Sequence, residues 1–151
     1  MHVPASITVD SPDMTEGGRI PTRYTCDGQG VSPPLRWSGV PSDAAALALV
    51  VDDPDAPGGT YTHWVVVDID PAAKSVARDQ SPPGAQQIVN SAGRASYMGP
   101  CPPSGVHHYR FTVYALSRRL ALPPRASLHS ALDAIAEAAT AQGRLTCTYR
   151  R

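Results

Sequence analysis

Four residues suited to proton and anion chemistry stand at the ends of apolar alternations in this chain: Asp53, His63, His107 and Tyr109. Side chains alternate faces along a strand, so Leu47, Leu49 and Val51 lead on one face to Asp53. Val65, Val67 and Ile69 run back on one face to His63. Phe111, Val113 and Ala115 run back to Tyr109 and then His107. A polar group buried without a partner costs several kcal/mol. These four must therefore meet one another, a ligand or water. If the two segments pair as an antiparallel hairpin, Asp53 and His63 meet at its mouth. They then either satisfy each other at a rim or line a pocket, and the second pair of polar groups at His107 and Tyr109 favours the pocket. A carboxylate beside a histidine raises the histidine's pKa. On this reading Asp53 holds His63 protonated, the imidazolium and the Tyr109 hydroxyl donate to an anion, and His107 is a further donor. Asp55, two residues beyond Asp53, is left to face an ammonium group.

Other chemistries use the same residue types. A hydrolase would take Ser104 or Cys101 as nucleophile, His63 or His107 as base and Asp53 to orient it. No G-x-S-x-G elbow is present, and Cys101 is flanked by prolines and opens no helix that would lower its pKa. His63, His107, Asp53 and Asp55 are usable metal ligands, but no H-x-H or H-E-x-x-H spacing joins them. A third reading is a protein-interaction module, an inhibitor of a kinase or protease, whose partner docks on the pocket rim. The motifs call for no cofactor and no metal, and a binding protein without catalysis is the expectation.

The elements that must position these groups are short and separated by turn residues. Strands are expected at Ile7–Val9, Leu35–Trp37, Leu47–Asp53, His63–Ile69, Gln87–Val89, Tyr109–Leu116 and Leu145–Tyr149, with a turn-rich stretch from Pro71 to Gly84. One segment has helical spacing: Leu128, Leu132, Ile135, Ala136 and Ala139 form a stripe, with Ser127 to cap its start and Gly143 to end it. The fold is therefore mainly β, with one late helix and a final strand. Two loops flank the polar strand ends. Asp53-Pro-Asp-Ala-Pro-Gly-Gly is stiff at its prolines and pliable at its glycines, and Gly99-Pro-Cys-Pro-Pro-Ser-Gly is proline-dense. Ala56–Pro57 is expected to be cis. Trp37 and Trp64 are expected to pack, and His108 to point outward; His2 and His129 carry no signal.

Composition narrows the class. The chain has 151 residues, 13 basic and 13 acidic, so it lacks the positive charge of a nucleic-acid binder. Its 16 prolines and 12 glycines fit a turn-rich β protein better than a helical bundle. No apolar run is long enough to span a membrane, and the start has neither a basic region nor an apolar core of a leader. Three cysteines without a CxxC pair, Cys26, Cys101 and Cys147, are expected to be free thiols in a cytoplasmic protein. If any pair forms, Cys26 and Cys147 would approach through paired strands.

Asp53-Pro-Asp-Ala-Pro, then His63-Trp64, then Gly99-Pro-Cys-Pro-Pro-Ser-Gly running into His107-His-Tyr109, resembles the phosphatidylethanolamine-binding protein family, and within it the bacterial Raf-kinase-inhibitor-like branch. Tyr24-Thr-Cys-Asp-Gly, Ser32-Pro-Pro-Leu-Arg-Trp-Ser-Gly and the ending Leu145-Thr-Cys-Thr-Tyr-Arg fit the same branch, so the likeness runs over residues 1–151 as one domain. The resemblance implies a Greek-key fold of two antiparallel sheets with an anion pocket at one end. It implies that Asp53, Asp55, His63, Gly99, Pro103, His107 and Tyr109 bind the ligand: phosphate, a phosphorylated headgroup or a carboxylate. It further implies a homodimer and a protein partner such as a kinase. Asn90-Ser-Ala-Gly-Arg94 departs from the Asn-Asp-aromatic-Gly expected ahead of the second loop.

Overall fold

The computed structural model describes residues 3–151; His2 lies outside them. The chain forms β1 (Thr8–Asp10), β2 (Leu35–Ser38), β3 (Ala46–Asp53), β4 (Tyr61–Ile69), β5 (Ser75–Val76), β6 (Gln86–Ile88), β7 (Val106–Leu116), α1 (Leu128–Ala138) and β8 (Ala139–Arg150). They build two antiparallel sheets, a small one in the order β1-β2-β5 and a large one in the order β6-β4-β3-β7-β8.

The large sheet is the central layer, which explains its apolar strands. On β3, Leu47, Leu49 and Val51 pack toward the small sheet with Trp37, Phe111 and Val113. The alternate residues Ala46, Ala48 and Val50 pack toward α1 with Ala131, Ile135 and Ala138. Both faces of β3 are thus buried, as a central strand requires. Ser127 caps α1 by accepting a hydrogen bond from the Ser130 amide at 3.1 Å. The buried stripe of α1 is centred on Ala131, Ile135 and Ala138, with Leu128 and Leu132 at its flanks and Ala136 exposed.

Gly143 does not end the helix. The chain leaves α1 at Ala139 in an extended conformation and enters β8 directly, so the last strand starts six residues earlier than its apolar pattern suggests. Gly143 sits inside β8 opposite Val113, and a Cβ there would lie 1.9 Å from the Ile7 carbonyl oxygen. The glycine lets the segment before β1 cross the strand closely, and Ile7 N–H donates to Gln142 O at 3.1 Å. The turn-rich stretch after β4 also holds β5, whose two residues are too few for a periodic signal.

Two irregularities in the β3–β4 pairing decide which way β4 faces. Val51 pairs with Trp64 but Asp52 pairs with Thr62, so His63 is an extra residue. A second shift, between Leu47 and Leu49, lies opposite Asp68, which has a φ of 57°. Bulges of this kind redirect side chains. Hence Val65 and Val67 face α1, whereas Trp64, Val66 and Ile69 face the small sheet. The expected common face of His63, Val65, Val67 and Ile69 does not exist.

Candidate functional site

At one end of the sandwich, Asp53, His63, His107 and Tyr109 converge on an open cavity of about 290 Å³. Asp53 closes β3, and His107 and Tyr109 come from the start of β7 on the face that carries Phe111. His63 reaches the same cavity because the bulge turns it to the side of Trp64. All four are buried, at 3%, 4%, 7% and 1% exposure in chain order of Asp53, His63, His107 and Tyr109. Ala56, Pro57, Tyr61, Met98, Cys101, Pro102 and Pro103 complete the lining. A larger hollow of about 530 Å³ at Trp37–Ser42 and Pro71–Lys74 brings no comparable polar groups together.

The hydrogen bonds differ from the expected pairing. Asp53 bonds to His107, not His63: His107 Nδ1 donates to Asp53 Oδ2 at 2.6 Å. The other oxygen, Oδ1, accepts the Asp55 amide at 2.8 Å and so folds the Asp53-Pro-Asp turn. His63 Nδ1 donates instead to the Met98 carbonyl at 2.8 Å. Asp53 is thus an orienting group with both oxygens engaged. Each ring has its Nδ1 occupied and Nε2 left for a ligand. The rings of Tyr61 and His63 meet edge to face at 5.1 Å, His63 and Tyr109 likewise at 5.4 Å, and His107 stacks on Tyr109 at 6.4 Å.

Burial sets the protonation of the site. It pushes the His63 pKa below its ordinary value, and the Met98 carbonyl and the charges of Asp53 and Asp52 oppose this without overcoming it. His63 is therefore neutral at pH 7, contrary to the expected imidazolium. Burial, and next the Asp53 carboxylate, hold the Tyr109 phenol above its ordinary pKa, so its hydroxyl keeps its proton and can donate.

Two expected site residues stand outside the lining. Asp55 turns to the outer face, where it accepts from the His108 amide at 2.8 Å and from His108 Nδ1 at 2.7 Å. Those bonds, led by the His108 side chain, lower the Asp55 pKa. The residue clamps the loop to β7 and does not face the cavity, and His108 is exposed as expected. Gly99 serves backbone packing: a Cβ there would lie 3.0 Å from Thr25 Cα. Pro103 lies in the cavity lining.

The sequence reading also missed groups that shape the walls. Asn90, 3% exposed, donates from Nδ2 to His63 O at 3.2 Å and to Ser96 O at 2.8 Å. Its Oδ1 accepts the amides of Ala92 and Arg94. One side chain thereby folds the departing Asn90–Arg94 stretch and carries the chain toward Met98, whose carbonyl anchors His63. Among the described residues no peptide bond is cis, so Ala56–Pro57 is trans; the two following glycines, with φ of 84° and 117°, make the turn.

The cysteines correct a further expectation. Cys26 and Cys101 form a disulfide, while Cys147 is buried and free. Cys147 Sγ instead donates to Thr15 O at 3.3 Å, and no approach to Cys26 occurs. The disulfide ties the proline-dense wall of the cavity to the segment after the short 3₁₀ turn Thr22–Tyr24. Cys26 N–H donates to Pro100 O at 3.1 Å beside it. Arg151 donates to Cys101 Sγ at 3.2 Å and pairs with Asp27 at 3.4 Å, so the last residue braces the same wall. Among the described residues no three His, Cys, Asp or Glu side chains are grouped to hold a metal ion.

Comparison with known proteins identifies the family and the fold. A family model described as phosphatidylethanolamine-binding protein matches residues 10–150. A protein of Mycobacterium tuberculosis named "Putative lipoprotein LppC" is 51% identical over 145 residues, covering 95% of this chain and 72% of that one. A UPF0098 protein of Methanothermobacter thermautotrophicus is 47% identical over 143 residues, covering 91% and 95%. The crystal structure of YbcL from E. coli, described as a new member of the mammalian PEBP family, superposes with a TM-score of 0.91 at 32% identity and covers 97% of this chain and 99% of that one. With the family model matched over residues 10–150 and the same fold in YbcL, this chain belongs to the phosphatidylethanolamine-binding protein family.

Proposed function

We propose that this protein is a non-catalytic receptor for a small oxyanion, held at His63, His107 and Tyr109 over the Asp53 carboxylate. The observation that carries the reading is the convergence of those groups on one open cavity of about 290 Å³, with each histidine anchored through Nδ1. On this reading the Tyr109 hydroxyl turns from Asp53 to the ligand, and Asp53 holds the His107 ring through Nδ1 and leaves Nε2 for the anion. Charge-assisted hydrogen bonds contribute about 1.5–3 kcal/mol each. After the cost of association, a few of them give micromolar to millimolar affinity for a bare anion.

The lining also argues against covalent hydrolysis. It contains no serine or threonine, and its one cysteine, Cys101, is bonded to Cys26. The Asp53–His107 pair is the base half of a triad without a nucleophile. Among the described residues no helix is long and apolar enough to cross a membrane. The cytoplasmic expectation came from the want of a leader-like start and carried reduced thiols with it, and the Cys26–Cys101 bond is at odds with the second part. We place the protein in an oxidising compartment, where such bonds persist.

Titration with inorganic phosphate at pH 6.5, followed by NMR, tests the receptor reading. Saturable shifts are expected at Tyr109 and both ring histidines. Asp53→Asn is expected to weaken binding about tenfold, because an amide cannot accept from both the Asp55 amide and the His107 ring. Absence of saturable binding to the wild type rejects the proposal.

A further inference from the structure

We propose that the crevice between α1 and the large sheet is a second binding site, one that takes an apolar monocarboxylate with its acid group on Arg144. It lies on the face of the large sheet opposite the Asp53–Tyr109 cavity, so the inference stands apart from the oxyanion reading.

Strand register builds the site. Val50 and Asp52 follow Ala46 and Ala48 on the α1 side of β3, since side chains alternate along a strand. Pairing sets Thr112 and Arg144 in one row with Val50, and Arg110 and Thr146 in the next row with Asp52. Between these rows and α1 lies a crevice of about 360 Å³. Its apolar side is formed by Val50 and by Leu132, Ile135, Ala136 and Ala139. Leu132 is only half-buried and Ala136 is exposed, so the flank of α1 presents apolar surface that the described residues do not cover.

The other side of the crevice is polar, and its charges are unequal. Asp52 is already neutralised, because Arg110 donates to its two oxygens at 2.7 Å and 2.9 Å. Arg144 has no carboxylate partner among the described residues. Its Nε donates to the Thr112 hydroxyl at 2.9 Å, and its terminal amino groups are left without a protein acceptor. Thr112 is 3% exposed, so a buried residue fixes the guanidinium at the edge of the crevice. Asp133 on α1 pairs with His129 at 3.2 Å, and neither it nor Glu137 lines the space. The charge left to meet a ligand is therefore the single positive charge of Arg144, with Tyr114 and Gln142 beside it as further polar groups.

A planar guanidinium matches a carboxylate in shape and offers it paired donors. The Val50 and α1 side rewards an apolar body on the same molecule, because its burial releases water from both surfaces. Ligand pockets commonly measure about 300–1,000 Å³, so this crevice suits a short acyl or aryl chain. An ammonium group would find only Asp52, which Arg110 already holds, and would be repelled by Arg144.

The test is an NMR titration of the full oxidised chain with octanoate, hexanoate, octanol and octylammonium. Octanoate is expected to give saturable shifts at the methyl groups of Val50, Leu132 and Ile135. It is expected to bind about tenfold more tightly than hexanoate, since each buried methylene contributes roughly fourfold. Octanol and octylammonium are expected to bind at least tenfold more weakly than octanoate. Arg144→Gln is expected to bring octanoate down to the affinity of octanol and to leave octanol unchanged, which separates the charge from the apolar contact. Ala136→Trp, which fills the crevice from an exposed position, is expected to weaken both. Octanoate shifts that are absent, or confined to the His63 and Tyr109 cavity, overturn the proposal. Equal octanoate affinity in wild type and Arg144→Gln overturns it as well.

Discussion

Reduction of the Cys26–Cys101 bond is the perturbation whose size the structure predicts most directly. The bond joins residues 75 apart in sequence, so it closes a long loop in the unfolded chain. The chain-entropy relation assigns a loop of that length about 15 cal/mol/K, or about 4.5 kcal/mol at 25 °C, and measured effects run about 2–4 kcal/mol. Unfolding entropy of about 2.1 cal/mol/K per residue converts about 2–4.5 kcal/mol into a drop in melting temperature of about 6–14 °C for a chain of this length. The assay is thermal unfolding by circular dichroism with and without a dithiol reductant, beside a thiol count in denaturant. The air-oxidised protein is expected to show one thiol, Cys147, and the reduced protein all three. In the folded protein Cys147 is expected to resist alkylation, since burial pushes its pKa up to about 11. Three reactive thiols in the oxidised protein, or a melting temperature moved by less than 2 °C on confirmed reduction, would refute the reasoning.

Two further outcomes test the fold and the site separately. Gly143→Ala is expected to lower stability by about 1–3 kcal/mol in urea unfolding, because the new Cβ would meet the Ile7 carbonyl oxygen at 1.9 Å; an unchanged midpoint contradicts the close crossing. Because the folded-state pKa of His63 lies below the ordinary 6.5, the unfolded chain binds its proton first. The contribution of the neutral ring is full above about pH 6.5 and is lost as pH falls through the lowered value. Urea unfolding of wild type and His63→Gln at pH 7.5 and pH 5 measures it. The variant is expected to lose less stability on acidification, and parallel losses argue against a buried neutral His63.

Much of the site was legible because strand periodicity is local. The alternation from Phe111 through Tyr109 to His107 needs no knowledge of neighbouring strands, and both residues line the cavity. The same reasoning failed on β4, where one extra residue at His63 and another near Asp68 break the period. His63 reached the cavity, but through a bulge and not through the face shared with Val65. The Asp53–His63 pairing failed for a related reason: the ring nearest in sequence found the Met98 carbonyl first, and the carboxylate took His107 from 54 residues away. Asp55 and Gly99 belong to the loops that frame the cavity, but a loop residue's side of the wall depends on what packs behind it.

The amino-acid sequence by itself determined the class of the fold, the positions of most strands, the capped helix and the set of residue types at one end of the sandwich. These follow from propensity and alternation over a few residues at a time. The tertiary structure alone decided the partner of each histidine, the Cys26–Cys101 link and the neutral state of His63. Each of those depends on register, on distances between segments far apart in the chain, and on exclusion of water, and none of these is a local property of the residues involved.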